Sequence, residues 1–202
     1  MADIFRLFVA IELPEAVIRH ITEVMGRLRE QALPGIRWVR PEGIHLTLRF
    51  LGNVPGSQVQ SIVAAIQTAA AGATSFALQV QGVGAFPHLR APRVLWVGVQ
   101  GNLEPLVQVL NRSEGALEVQ GFAREQRPFS PHLTLGRVKG RLSLPQVQTL
   151  AQAMDWSRDV GPAELPVTAL SLMESQLTRN GAIYRRRFQI PLSNGLTTPQ
   201  SS

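Results

Sequence analysis

The chain contains no cysteine. A disulfide framework, a thiolate metal site and a cysteine nucleophile are thereby excluded. Lysine is almost absent as well: Lys139 is the only one among 20 Lys and Arg residues. Long apolar runs are missing. The N-terminal stretch Phe5 to Leu13 is broken by Arg6 and Glu12, so neither a secretory signal nor a membrane-crossing helix is expected, and a cytoplasmic location follows as the expectation. No Gly-x-Ser-x-Gly elbow and no Gly-Lys-Ser/Thr phosphate loop occurs. Gly82-Val83-Gly84 is not a dinucleotide fingerprint, because the third glycine is missing and Pro87 stands where a helix would begin.

What remains is a globular composition. Hydrophobic residues make up 45% and charged residues 17% of 202 residues, enough to bury a core in one or two domains. The net charge of +6 is carried by arginine, whose planar fork suits phosphate. A composition bias replacing Lys by Arg throughout would give the same totals, so charge alone is weak support for a polyanionic partner.

Periodicity divides the chain into two similar halves. Ile4 to Ile11 reads as a strand, and Pro14 suits a first helical position. Val17, Ile21, Val24 and Leu28 have helical spacing to about Arg29, where Pro34-Gly35 breaks the pattern. Asn53 to Gly56 reads as a turn, with Ser57 capping a helix through Val59, Ile62, Val63 and Ile66 that ends at Gly72. Phe76, Leu78 and Val80 alternate as a strand, and Gly82 to Pro92 reads as a loop. In the second half, Val94 to Val99 is a strand and Asn102 caps a helix through Leu103, Leu106 and Leu110. Ser143 to Gln146 has capping-box spacing before a helix through Val147, Leu150 and Met154. Leu165 to Leu172 and Tyr184 to Ile190 read as strands. The order β-α-β-α-β therefore occurs twice, about 4–81 and about 93–190. Val9 to His45 spans 45 − 9 = 36 positions, and Val97 to His132 spans 132 − 97 = 35. Residues 1–196 are expected to form one domain, with 197–202 a flexible tail.

Each half contains one conspicuous strand. His45-Leu46-Thr47-Leu48 and His132-Leu133-Thr134-Leu135 place an imidazole and a hydroxyl on one face of a strand and leucines on the other. One such strand is an ordinary half-buried pair. Two copies in a duplicated frame predict a pseudo-two-fold cleft with His45 and His132 facing each other. A histidine pair suits acid–base catalysis, one ring taking a proton while the other gives one. The threonine hydroxyls can donate to phosphate oxygens, and a nearby arginine can hold developing charge. A 2′,3′-cyclic phosphodiester is a natural target for this set. His20 and His88 lack a Thr two residues on and read as structural or surface residues. A metal site is disfavoured, since only Glu42 lies near either motif histidine in sequence.

These motifs, with their surroundings, resemble the two-histidine (2H) phosphoesterase superfamily, and within it the RNA 2′,3′-cyclic phosphodiesterases once called 2′-5′ RNA ligases. The likeness extends to Arg6 to Ile11, Trp38-Val39, Arg127 to Pro131, Leu172 to Leu177, Gly181 and Tyr184. It implies an α+β, bilobal fold with an antiparallel sheet and helices in each lobe, both termini in one lobe, and elements exchanged between lobes. It further implies metal-independent hydrolysis of RNA 2′,3′-cyclic ends to 2′-phosphates, with no cofactor. By this likeness His45 is the proton donor, His132 the proton acceptor, and Thr47, Thr134 and Arg137 bind the phosphate. Strict alternation would put Arg137 on the leucine face, unless a bulge at Gly136 turns it into the cleft. Arg49 has the parity of His45 and is a secondary candidate. Phe8, Trp38, Phe86 and Phe129 are candidates for base stacking. The expected partner is RNA with a 2′,3′-cyclic phosphate end, tRNA fragments included; the protein is expected to be a monomer with no membrane partner. Reversible 2′-5′ ligation with the same site, and RNA binding without turnover, are the alternatives.

Overall fold

Near-continuous apolar runs build the centre of the sheet. In the computed structural model, which describes residues 3–31, 35–156, 160–178 and 181–194, β1 (Ile4–Glu12) buries Leu7, Val9 and Ile11 on one face and Phe8 and Ala10 on the other. A strand buried on both faces needs cover on both. α1 (Glu15–Glu30) follows, with Val17, Ile21, Val24, Met25 and Leu28 on its buried stripe. Glu15 in its first turn and Arg27 and Arg29 in its last complement the helix dipole. Pro14 sits one position before the first helical residue.

β2 (Ile36–Trp38) and a single 3₁₀ turn, Pro41–Gly43, lead into β3 (His45–Pro55). The expected turn at Asn53 is instead strand, because Asn53 and Pro55 pair with Arg6 and Ile4 of β1. Chain reversal is delayed to the 3₁₀ turn Gly56–Gln58, which occupies Ser57, so Ser57 does not cap α2 (Val59–Ala70). β4 (Phe76–Phe86) also outruns its expectation. Gly82 is a bulge with φ of 76°, and the ladder to β5 (Val94–Gln100) continues past it to Phe86. Gly84 is required there by close approach, since a Cβ would lie 2.2 Å from the Trp96 indole.

α3 (Glu104–Val119), β6 (His132–Val138) and α4 (Leu144–Trp156) complete the second half-pattern. Leu103, not Asn102, is the capping residue of α3, although Asn102 Oδ1 accepts the Glu104 N–H at 3.2 Å; the Ser143 N–H donates to Gln146 Oε1 at 2.8 Å, as the expected capping box requires. The single strand expected over Leu165 to Leu172 is two strands, β7 (Ala163–Val167) and β8 (Ala169–Thr178). They pair at opposite ends of the sheet, β7 with β4 and β8 with β1 and β9 (Gly181–Pro191). The tail 197–202 lies outside the described residues.

The strands form one curled antiparallel sheet of an α+β fold, in the order β7-β4-β5-β6-β3-β1-β8-β9, with β2 on β6. Its two lobes exchange elements. β3, β1, β8 and β9 make one lobe, while β4 crosses to pair with β5 in the other. α1 and α4 pack on the β4–β7 side, α2 and α3 on the β8–β9 side. No helix among the described residues is long and apolar enough to cross a membrane.

Candidate functional site

Within the sheet, the two lobes meet where β3 runs beside β6, through one ladder pair among the described residues. Leu46 of β3 pairs with Leu133 of β6, and both side chains are fully buried on the helix side of the sheet. The neighbouring His45, Thr47, His132 and Thr134 therefore share the opposite, concave face. All four line a cleft of about 400 Å³, together with Arg6, Phe8, Phe50, Arg137, Ser175 and Tyr184 among others.

Both imidazoles are held in the same way. His45 Nδ1 lies 2.9 Å from the Gly43 carbonyl, and His132 Nδ1 lies 2.7 Å from the Ser130 carbonyl, each two residues upstream. A carbonyl only accepts, so Nδ1–H donates in both rings and Nε2 is left for chemistry. The surroundings differ. His45 sits between Phe8, at 4.7 Å between ring centroids, and the edge-on Tyr184 ring at 4.8 Å. His132 meets Phe86 edge-on at 4.9 Å, with Trp96 at 6.5 Å. Burial pushes the His45 ring below the usual imidazole range, opposed by its bond to the Gly43 carbonyl and by the Glu12 carboxylate. Glu12 stands opposite His45 in the β1–β3 ladder, where Ser171 Oγ donates to it at 2.6 Å and Arg186 Nη1 at 3.2 Å.

Two matching bulges decide which side chains follow the threonines into the cleft. Thr47 pairs with Ala10 and Arg49 with Val9, leaving Leu48 as the extra residue. Thr134 pairs with Trp96 and Gly136 with Leu95, leaving Leu135 as the extra residue. Parity flips at each. Arg137 consequently faces the cleft, and the bulge that carries it there is Leu135 beside Gly136. A Cβ on Gly136 would meet Ile36 Cγ2 at 3.1 Å and Trp38 at 3.2 Å, so glycine lets β2 close on this corner.

The same flip removes Arg49 from the site. It turns to the helix face, 9% exposed, with Nε 3.1 Å from Glu114 Oε1 of α3 and a guanidinium bond to the Ala123 carbonyl. Phe50 takes its place in the cleft and is 63% exposed. Phe50 is the counterpart of Arg137, as aligning the two motifs residue by residue would have shown. The ladders also match Ile11 with Val97, opposite Leu46 and Leu133, rather than Val9 with Val97. Of the stacking candidates, Phe8 lies in the cleft wall but is 1% exposed beneath His45 and Tyr184 and offers no face to a base, Phe86 touches His132, Trp38 lines an adjoining cavity, and Phe129 packs against the core. His20 is on α1 and His88 is exposed outside the cleft. Among the described residues, no three His, Asp or Glu side chains gather as a metal site.

A family model described as LigT like Phosphoesterase matches the chain twice, over residues 11–96 and 97–184. The chain belongs to this family. The two matches divide the chain into its two halves, each containing one His-x-Thr strand. A relative from Aeropyrum pernix, named RNA 2′,3′-cyclic phosphodiesterase, is 35% identical over 172 residues, 82% of this chain and 93% of its own. One of the same name from Thermotoga maritima is 32% identical over 191 residues, 95% and 97% of the two chains. The crystal structure of Escherichia coli LigT complexed with 3′-AMP has a TM-score of 0.70 at 26% identity and covers 95% of this chain and all of that one. The crystal structure of a Thermus thermophilus protein reaches a TM-score of 0.75 at 26% identity, covering 94% and 99%.

Proposed function

We propose that this protein hydrolyses RNA 2′,3′-cyclic phosphodiester ends to 2′-phosphomonoesters, with His45 as proton donor and His132 as proton acceptor. The observation that carries the reading is the convergence of both His-x-Thr pairs on one cleft, each ring held through Nδ1 with Nε2 uncommitted. The names of the relatives support the substrate class.

In this reaction His132 Nε2 takes a proton from water as the water oxygen bonds to phosphorus. The P–O3′ bond breaks, and His45 Nε2 protonates the departing O3′. Oxygen 2′ keeps the phosphate. One water is consumed, the two rings exchange protonation states, and no metal is called on. Thr47 and Thr134 hydroxyls donate to the non-bridging oxygens, and Arg137 balances the charge that grows there. Burial disfavours a charged His45. A phosphate anion against the ring reverses that preference, so substrate binding itself arms the acid.

The test incubates wild type and the His132→Ala variant with an RNA oligonucleotide ending in 2′,3′-cyclic phosphate, in EDTA, and identifies the end group. A 2′-phosphate formed by wild type and lost by about 10²-fold or more in the variant is the expected result. A 3′-phosphate product would reverse which oxygen leaves. Equal rates for the two proteins would end the reading.

A further inference from the structure

Arg37 and Arg137 stand directly opposite each other in the β2–β6 ladder, and both are exposed. Like charges placed opposite on one sheet face repel and are destabilising unless something negative lies between or over them. No carboxylate among the described residues forms an ion pair with either guanidinium. Both line a second cavity of about 720 Å³ between the β2–β6 ladder and the β8–β9 hairpin. Arg40 adds a third cation to its wall, and Glu42 is the only carboxylate among the lining residues.

This cavity is continuous with the histidine cleft. Val39, Gly43, Arg137, Leu177, Ala182 and Tyr184 line both. Its far wall is apolar and solvent-facing, with Leu177 71% and Ile183 40% exposed. Arg37 reaches that wall: a Cβ on Gly181 would lie 2.8 Å from Arg37 Nη2. Cations on one side, apolar surface on the other and an open end at the histidine cleft are features that a groove for a single nucleic-acid strand combines. Its volume falls in the range of about 300–1,000 Å³ usual for ligand sites, so it exceeds what a lone phosphate would fill.

We propose that this second cavity holds the RNA strand on the 5′ side of the cyclic end, with Arg37 and Arg40 binding the phosphodiester that precedes the terminal nucleotide. This rests on the hydrolase reading above and extends it to substrate class: the enzyme is built for the end of a chain, not for a mononucleoside 2′,3′-cyclic phosphate. Arg137, shared by the two cavities, lies between the reacting phosphate and the next one. Leu177 and Ile183 contact the base faces, which makes the groove tolerant of sequence.

The deciding experiment uses the full chain and an Arg37→Ala/Arg40→Ala double variant. Two substrates are compared, a mononucleoside 2′,3′-cyclic phosphate and a short RNA ending in the same nucleotide. The ratio of kcat/KM for RNA to that for the mononucleotide is expected to fall about tenfold or more in the variant, as removal of charge-assisted phosphate bonds requires. Most of the fall should be in KM. The salt dependence of RNA binding, followed by fluorescence anisotropy of a labelled strand with a 2′-phosphate end, should also flatten, by about 0.7 in slope for each phosphate that is no longer neutralised. An unchanged ratio with unchanged binding overturns the proposal. If wild type turns over neither substrate, the hydrolase reading fails by itself. Binding then still decides the cavity: weaker binding by the variant supports it, and equal binding removes it.

Discussion

Among the described residues, Leu46 and Leu133 form the one ladder pair between β3 and β6, the strands at which the two lobes of the sheet meet. Each is flanked by the His and Thr of its own strand, and each is fully buried. The apolar joint and the polar cleft are thus the two faces of one crossing. A change in the joint moves both imidazoles relative to each other.

Leu46→Ala and Leu133→Ala should each cost about 2–5 kcal/mol of stability, the usual range for a buried leucine deletion. Urea unfolding measures this. Turnover should fall at temperatures where the variant is still folded, because the positions of His45 and His132 depend on that contact. A destabilised variant with wild-type kcat would show that the joint does not set the histidine geometry.

Arg49 should matter for stability and not directly for chemistry. It ties β3 to α3 through Glu114, with side chains 9% and 13% exposed, and to the carbonyl of Ala123. Removing one partner of a buried pair strands the other, so Arg49→Ala is expected to lose about 3–5 kcal/mol. Its KM for substrate at low temperature should stay near that of wild type. A raised KM without destabilisation would return Arg49 to the cleft.

Acidification should weaken the fold through His45. Its folded-state pKa lies below the ordinary value of 6.5, as does that of His20. The unfolded chain then binds more protons than the folded one as pH falls below that value, so stability declines with acid. The urea midpoint of wild type should drop on going from about pH 7.5 to about pH 5.5, and less so in His45→Gln. Ring-carbon chemical shifts offer a direct check: inorganic phosphate should move the His45 titration upward. Identical pH slopes in the two proteins would contradict the burial of His45.

Gly136→Ala tests the corner that presents Arg137. The added methyl meets Ile36, Trp38 and the Arg37 carbonyl at 3.1, 3.2 and 3.3 Å, so β2 must retreat. Such overpacking costs about 1–3 kcal/mol. The retreat is expected to displace Arg137 within the cleft, so that KM for the cyclic substrate rises more than kcat falls. Wild-type KM in a folded variant would separate Arg137 from the cleft.

Local patterns carried much of this protein. Period-two leucines in the two motifs, the helical stripe from Val17 to Leu28 and the Ser143 capping box were legible because each depends on neighbours within one turn or one strand. Repetition of His-Leu-Thr-Leu in a duplicated frame was sufficient to place four side chains on one face. Gly82 to Phe86, Asn53 to Pro55 and the break between β7 and β8 were not legible. There the chain's state is set by its pairing partner: Trp96 lying over Gly84, β1 holding Asn53, and two strands leaving for opposite sheet edges.

The sequence by itself determined the residue types of the cleft and their alternation. Tertiary structure alone decided which arginine enters it. Leu48 and Leu135 are the extra residues of two bulges, and a bulge reverses every face that follows. Arg49 therefore goes to Glu114 and Arg137 to the histidine cleft, although strict alternation assigns them the other way. A bulge is a mismatch between two strands, and that mismatch exists only once they are paired.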